Sequence, residues 1–151
     1  MWSTSPPKLS RHPLGVSLES SEFLRRYARR LLRDARSQEA SKAMPVLRRI
    51  AATRIVPELR LTYLYASRAT LQLKHLLHML ARELGFPAWE ICKKRIDGCA
   101  PSLLDRYRLE LGMFGDYEKN WFADVHTACA WQSSHGGYLV RYGDQTVAIL
   151  A

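Results

Sequence analysis

The sequence predicts a mostly helical α+β fold, and three observations predict it. Apolar residues recur at helical spacing from residue 20 to about residue 111. Proline and glycine break that stretch at Pro45, Pro57, Gly85, Pro87, Gly98 and Pro101. After residue 117 the pattern changes to short alternating runs around a Gly143-Asp144 turn. The expected architecture is about five helices followed by a small C-terminal β-α-β-β unit packed on them. This divides the chain into a flexible tail (1–19), a basic helical region (20–117) and the β-α-β-β unit (118–151), together one compact domain.

Residues 1–19 hold three prolines and four serines, a composition that does not build a core. The first helix follows, with Phe23, Leu24, Tyr27, Ala28, Leu31, Leu32 and Ala35 on one half and Ser20 or Ser21 as its N-cap. Pro45 suits a first helical position, so a second helix is expected to begin there, with Val46, Leu47 and Ile50 inward. The run from Leu59 to Tyr65 reads equally as a short strand or a helical turn, because Leu59, Leu61, Tyr63 and Tyr65 alternate. Thr70 is the expected cap of a third helix burying Leu73, Leu76, Leu77, Leu80 and Leu84. Gly85 supplies its left-handed C′ residue, and Phe86 folds back beside it.

Pro87 at N1 starts a fourth helix anchored by Trp89 and Ile96, and Gly98 stops it. A fifth carries Leu103, Leu104, Tyr107 and Leu111 at core spacing. Asn120 to Ala123 form a strand, and Asp124 caps a helix that turns Val125, Ala128, Cys129 and Trp131 inward. Two further strands flank Gly143-Asp144 as a hairpin. Leu31, Leu77, Leu80, Trp89 and Trp121 are expected to be buried together.

Charge carries the functional information. The chain of 151 residues has a formal net charge of +9. Residues 1–60 carry 13 Lys and Arg against 5 Asp and Glu, residues 61–97 carry 6 against 3, and residues 98–151 carry 4 against 6. The basicity therefore belongs to the helical part and suits nucleic acid, an acidic protein or an anionic surface. Its centre is the first helix, where Arg25, Arg26, Arg29, Arg30, Arg33 and Arg36 share an arc of about 140°. A plain solvated helix usually alternates charge signs at i,i+4, whereas these arginines repel one another. The expected phosphate-binding set adds Arg48, Arg49, Lys74, His78 and Arg82. A second candidate surface is the hairpin, where Tyr138, Arg141, Tyr142 and Gln145 could meet a protein partner.

Three cysteines, Cys92, Cys99 and Cys129, have no disulfide-framework spacing. With no apolar run of signal-peptide or membrane-spanning length, the sequence reads as cytoplasmic. Neither His75 with His78 nor His126 with Cys129 and His135 completes a metal ligand set, so no metal and no cofactor is expected. Catalytic signals are equally sparse. Ser133-Ser134-His135 lacks a nucleophile elbow, no phosphate loop or dinucleotide fingerprint occurs, and only the Arg-x6-His string from Arg68 to His75 loosely fits the Arg-x4-6-His motif of a class of helical ribonuclease toxins. The leading expectation is a non-enzymatic protein that binds nucleic acid phosphates without reading sequence. An interaction or regulatory module for an acidic partner is the alternative, and an RNase-type toxin is third.

Two stretches carry a resemblance. LQLKHLLHMLARELGFPAWEICKKRI resembles the "ARE-x-GF-x-x-W" helical segment found ahead of ankyrin repeats in many bacterial proteins and in an uncharacterised family of small bacterial proteins. NWFADVHTACAWQSSHGGYLVRYGDQTVAIL is similar to the C-terminal half of that family, through Trp121, Phe122, Gly136, Gly137, Tyr138, Leu139, Tyr142 and Gln145. Val140 and Arg141 stand where the pattern often reads Leu-Pro. The resemblance spans roughly residues 20–151 and implies the architecture above in a bacterial, mobile-element setting, with no established activity.

Overall fold

A computed structural model describes residues 13–15, 18–58 and 60–150. Among them the chain forms seven α-helices and a three-stranded antiparallel sheet, a mostly helical α+β fold. The described residues divide into two compact units, one spanning Leu18–Cys99 and the other joining residues 13–15 to residues 100–150. Residues 100–117, expected with the helices, belong to the sheet's unit.

The helical unit is built on α1 (Ser20–Ala35), which packs against α2 (Ala40–Thr53) and α4 (Leu73–Glu83); α3 (Leu61–Ala66) and α5 (Trp89–Arg95) complete it. Leu24, Tyr27, Ala28, Leu31 and Ala35 of α1 meet Ala43, Val46, Leu47 and Ile50 of α2 and Leu76, Leu77, Met79, Leu80 and Ala81 of α4 in the buried core. Each large side chain buried there contributes about 1.5–3 kcal/mol. Leu73 and Leu84, at the two ends of the α4 stripe, are only half-buried.

Several helix ends depart from expectation. Ser20 and Ser21 lie inside α1, and neither caps it. The cap comes from Asp97, 76 residues away: Oδ1 accepts from the Ser21 N–H at 2.8 Å and Oδ2 from the Ser21 hydroxyl at 2.7 Å. These bonds hold the Asp97 carboxyl below its usual range. Pro45 does not start α2 but sits inside it. It is tolerated because the carbonyl it leaves unbonded, that of Ser41, lies on an exposed turn open to water. Thr70 closes a 3-10 turn (Arg68–Thr70) and bonds back to the Ser67 carbonyl at 2.7 Å, so α4 begins after Gln72. There the His75 ring Nδ1 accepts from the Gln72 N–H at 2.9 Å.

The end of α4 is as expected. Gly85 has φ 91, its N–H bonds the Arg82 carbonyl at 3.1 Å, and the Phe86 N–H bonds that of Ala81 at 2.9 Å. This paired arrangement needs the left-handed residue that glycine supplies most cheaply. Pro87 lies before the α5 cap Ala88 rather than at N1. The ambiguous run of tyrosines is helical, with Leu64 buried; Leu59 lies outside the described residues.

In the second unit a 3-10 turn (Pro101–Leu104) leads into α6 (Asp105–Glu110), followed by β1 (Glu118–Phe122), α7 (Val125–His135), β2 (Tyr138–Tyr142) and β3 (Gln145–Leu150). The order is β1-β3-β2, so β3 is central and its Thr146, Val147, Ala148 and Ile149 are all buried. The register pairs Tyr138 with Ile149 and Val140 with Val147, which puts them on one face with Phe114, Leu14, Leu109 and Tyr117. The opposite face carries Phe122, whose ring lies 5.5 Å from Trp131 of α7. Gly137 joins α7 to β2 at φ 102, where a Cβ would come within 2.9 Å of Leu150. The Tyr117 hydroxyl donates to the Pro13 carbonyl at 3.2 Å, which fastens the described part of the N-terminal segment to this unit; residues 1–12 of the expected tail lie outside the described residues.

Edges expose residues expected in the core. Trp121 is 48% exposed because β1 is an edge strand, and Trp89 is only half-buried, so the expected common cluster does not include them. Leu103 is exposed and Leu111 half-buried because α6 is preceded by a 3-10 turn, which shifts the helical phase. Asp124 does cap α7, accepting from the Thr127 N–H at 2.7 Å. Only Ala128 of that helix is buried, so Val125 and Cys129 face outward.

Beneath the hairpin lies a polar cluster. Asp105 and Arg108 are each 2% exposed. Arg108 Nη1 donates to Asp105 Oδ1 at 2.8 Å and to the Pro101 carbonyl at 2.7 Å, while the Tyr138 hydroxyl donates to Asp105 Oδ2. Burial, then the Asp105 carboxylate, push the Tyr138 phenol up from its ordinary value.

Both polar features set measurable stabilities. Asp97→Ala should lower the unfolding free energy by about 1 kcal/mol at neutral pH, the typical worth of an N-cap. A carboxylate with a depressed folded pKa stabilises above its unfolded pKa of about 4 and loses that contribution as pH falls through the folded value. The gap between wild type and variant, measured by urea unfolding, should therefore close in acid. Arg108→Met, which removes the cation from a buried carboxylate, should cost about 3–5 kcal/mol in the same assay.

Candidate nucleic-acid interface

The buried half of α1 fixes where its arginines point. With Leu24, Ala28, Leu31 and Ala35 inside, Arg26, Arg29, Arg30, Arg33 and Arg36 are exposed and Arg25 is half-buried. The structure sorts these cations by what they touch. Arg25 lies over the Trp89 ring at 5.7 Å and 4.0 Å from Glu22, and Arg26 pairs with Glu22 at 3.3 Å. Such exposed pairs are weak and leave both charges available to a stronger anion. Arg36 donates to the Leu71 carbonyl, which fixes it beside the start of α4. The side chains of Arg29, Arg30 and Arg33 make no ion pair or hydrogen bond among the described residues.

Those three arginines border two clefts that share Arg33. One, of about 230 Å3, is lined by Arg29, Leu32, Arg33, Arg36 and Leu73, so its floor is apolar and its rim cationic. The other, of about 540 Å3, lies at the α1–α2 elbow and is lined by Arg30, Arg33, Asp34, Ser37 and Lys42. Lys42, at the start of α2, is 3.7 Å from Glu39 in an exposed pair. The elbow has an internal brace: Arg68 Nε donates to the Ser37 carbonyl at 3.0 Å, and the Tyr65 hydroxyl donates to that of Gln38 at 3.0 Å.

The remaining expected phosphate ligands line neither cleft. Arg49 is structural. Its Nε and Nη2 grip both Glu83 oxygens at 2.9 and 2.7 Å, and Nη1 donates to the Tyr27 hydroxyl at 2.9 Å, joining α2 to α4 and α1. Burial works against its charge, but the bonds to Glu83 and Tyr27 outweigh burial and raise the guanidinium pKa. Arg48 is exposed on α2. On α4, Lys74 and Arg82 are exposed, while the His78 ring is half-buried with Nε2 unbonded among the described residues.

The hairpin set also separates. Tyr138 is tied to Asp105 and Tyr142 donates to Glu110 at 2.9 Å, so both face α6, whereas Arg141 projects from the opposite face, separated from Phe122 by Thr146 of the central strand. Gln145 is exposed at the turn, across from Tyr142.

The catalytic candidates serve the fold. Arg68 also donates to the Tyr65 carbonyl at 2.8 Å and lies 4.1 Å from the Tyr65 ring. His75 is held as a neutral acceptor, its pKa lowered first by burial and then by Lys74 and His78. Cys92 is buried, and burial pushes its thiol up to about 11. His135 stacks on Trp131 at 4.3 Å, and His126 and Cys129 are exposed on the same helix. No described helix is long and apolar enough to cross a membrane.

Sequence reasoning missed Lys42, Leu32 and Leu73 as parts of the site. Lys42 escapes when α2 is started at Pro45, because it then falls in a loop instead of the first helical turn. Leu32 reads as core, although on a helical wheel it borders the arginine arc, about 20° from Arg25.

Compared with protein-family models, curated proteins and solved structures, the chain matches none.

Arg49 and Arg33 separate structure from binding. Arg49→Gln should lower the unfolding free energy by about 2–3 kcal/mol by stranding Glu83. Arg33→Gln, at an exposed unpaired position, should change it by no more than about 0.5 kcal/mol. Chemical denaturation of the two variants checks both.

Proposed function

We propose that this chain is a non-enzymatic protein that binds nucleic acid through its phosphates, using the exposed face of α1. One observation carries the reading: Arg29, Arg30 and Arg33 stand together without a carboxylate partner among the described residues, on a helix whose other half is buried in the core. Three close like charges raise the free energy of the unbound protein, and a polyanion relieves that repulsion as it releases its own counterions. Arginine suits the task because its planar fork meets phosphate oxygens in pairs.

Arg25, Arg26 and Lys42 extend the surface, since their exposed pairs exchange readily for phosphate. Arg49 is excluded from it. Contacts of this kind position a ligand without reading its bases, so affinity is expected to be similar across unrelated sequences.

The test is a salt titration with the full chain. The triple variant Arg29→Gln, Arg30→Gln, Arg33→Gln should keep its fold by circular dichroism and bind more weakly. The slope of log K against log salt should fall by up to about 0.9 for each duplex phosphate that the variant no longer neutralises. If wild type binds neither duplex nor single strand at about 50 mM salt, where several phosphate contacts are readily detected, the reading is wrong. The same arginines would then be assigned to carboxylates of an acidic protein partner.

A further inference from the structure

From the pairing of the two clefts, and resting on the phosphate-binding reading, we infer that the preferred ligand is single-stranded nucleic acid, with one unstacked base in the α1–α4 cleft and an adjacent phosphate in the elbow. A purely electrostatic stripe would present only charge. Here Leu32 and Leu73 form an apolar floor, and Arg29, Arg33 and Arg36 rise around it. At about 230 Å3 the cleft is smaller than the roughly 300–1,000 Å3 of pockets for drug-sized ligands, a size suited to a single ring system.

An unpaired base has an apolar face for the leucines, and guanidinium planes stack on such faces. In a duplex that face is covered by its neighbours, so the cleft has nothing to receive. The second cleft has the complementary character. Among the described residues, Arg30, Arg33 and Lys42 bring three cations to its lining against one carboxylate, that of Asp34, and Ser37 adds a hydroxyl. Arg33 lines both, so a sugar-phosphate backbone passing over it would place its base on one side and its phosphate on the other.

One wall of each cleft is held before any ligand arrives. Arg36 is fixed by the Leu71 carbonyl, and the elbow is braced by Arg68 on the Ser37 carbonyl at 3.0 Å. Arg68 is thus a positioning residue for the phosphate cleft. Preorganisation of this kind reduces the ordering cost of binding.

The experiment compares oligo-dT and oligo-U with duplexes of equal phosphate number at one salt concentration, using fluorescence anisotropy. Either single strand should bind about tenfold tighter than the duplex, the scale of one favourably packed base. Leu73→Gln should remove most of that advantage, bringing single-strand affinity down about tenfold towards that of the duplex. Arg30→Gln with Lys42→Gln should weaken both ligands and lower both slopes. As a readout independent of any variant's folding, a 2-aminopurine within oligo-dT should change its emission on binding wild type as its base leaves the stack. Duplex binding as tight as single strand, or unchanged 2-aminopurine emission, overturns this inference and leaves the phosphate reading standing. Binding of neither ligand overturns both.

Discussion

The burial of one half of α1 between α2 and α4 governs the helical unit. Leu24, Ala28, Leu31 and Ala35 are almost wholly shielded from solvent, and a helix locked on that side has no rotational freedom left for the other. Six arginines within twelve residues must then lie on its outer side, whatever their mutual repulsion. Core packing contributes the free energy that offsets that repulsion. The charged face is therefore a consequence of the apolar one, which fixes where around the helix its arginines emerge.

Carboxylates sort the cations into structural ties and exchangeable pairs. Glu83 holds Arg49 in a largely shielded pair, whereas Glu22 with Arg25 and Arg26, Glu39 with Lys42, Glu58 with Arg60 and Glu90 with Lys93 form exposed ones. Asp97 serves the amide end of α1 instead of a cation. What remains over the C-terminal half of α1 is Arg29, Arg30 and Arg33, with Asp34 the one acid among the described residues that line either cleft. Arg49 illustrates the distinction: it carries the same charge as Arg33, but its bidentate pair with Glu83 and its bond to Tyr27 make it a tie between three helices.

The sheet unit solves a different problem. Its central strand is buried on both faces, so it needs cover from α6 on one side and α7 on the other. The α6 side brings a charged pair into the interior, and the cost of desolvating Asp105 and Arg108 is met by the Pro101 carbonyl and the Tyr138 hydroxyl. Tyr138 and Tyr142 are thereby committed to α6, and the hairpin does not present them with Arg141 as one surface.

Local chemistry was legible in the sequence: the two halves of α1, the Gly85-Phe86 stop, the Asp124 cap, the hairpin at Gly143-Asp144 and the arginine arc all follow from spacing and residue type within a few positions. Whatever depends on a partner far along the chain was not. Asp97 caps a helix 76 residues earlier, Arg49 meets Glu83 34 residues later, and Arg68 braces a carbonyl 31 residues before it. Pro45 entered a helix interior because an exposed carbonyl could turn to water, a circumstance no local propensity encodes. The clefts are of the same kind: Leu32 and Leu73 become a floor only when α1 and α4 lie side by side, and Lys42 joins Arg30 only across the α1–α2 elbow. Periodicity fixes which side of a helix is apolar, whereas the neighbour that covers each residue is set by long-range packing.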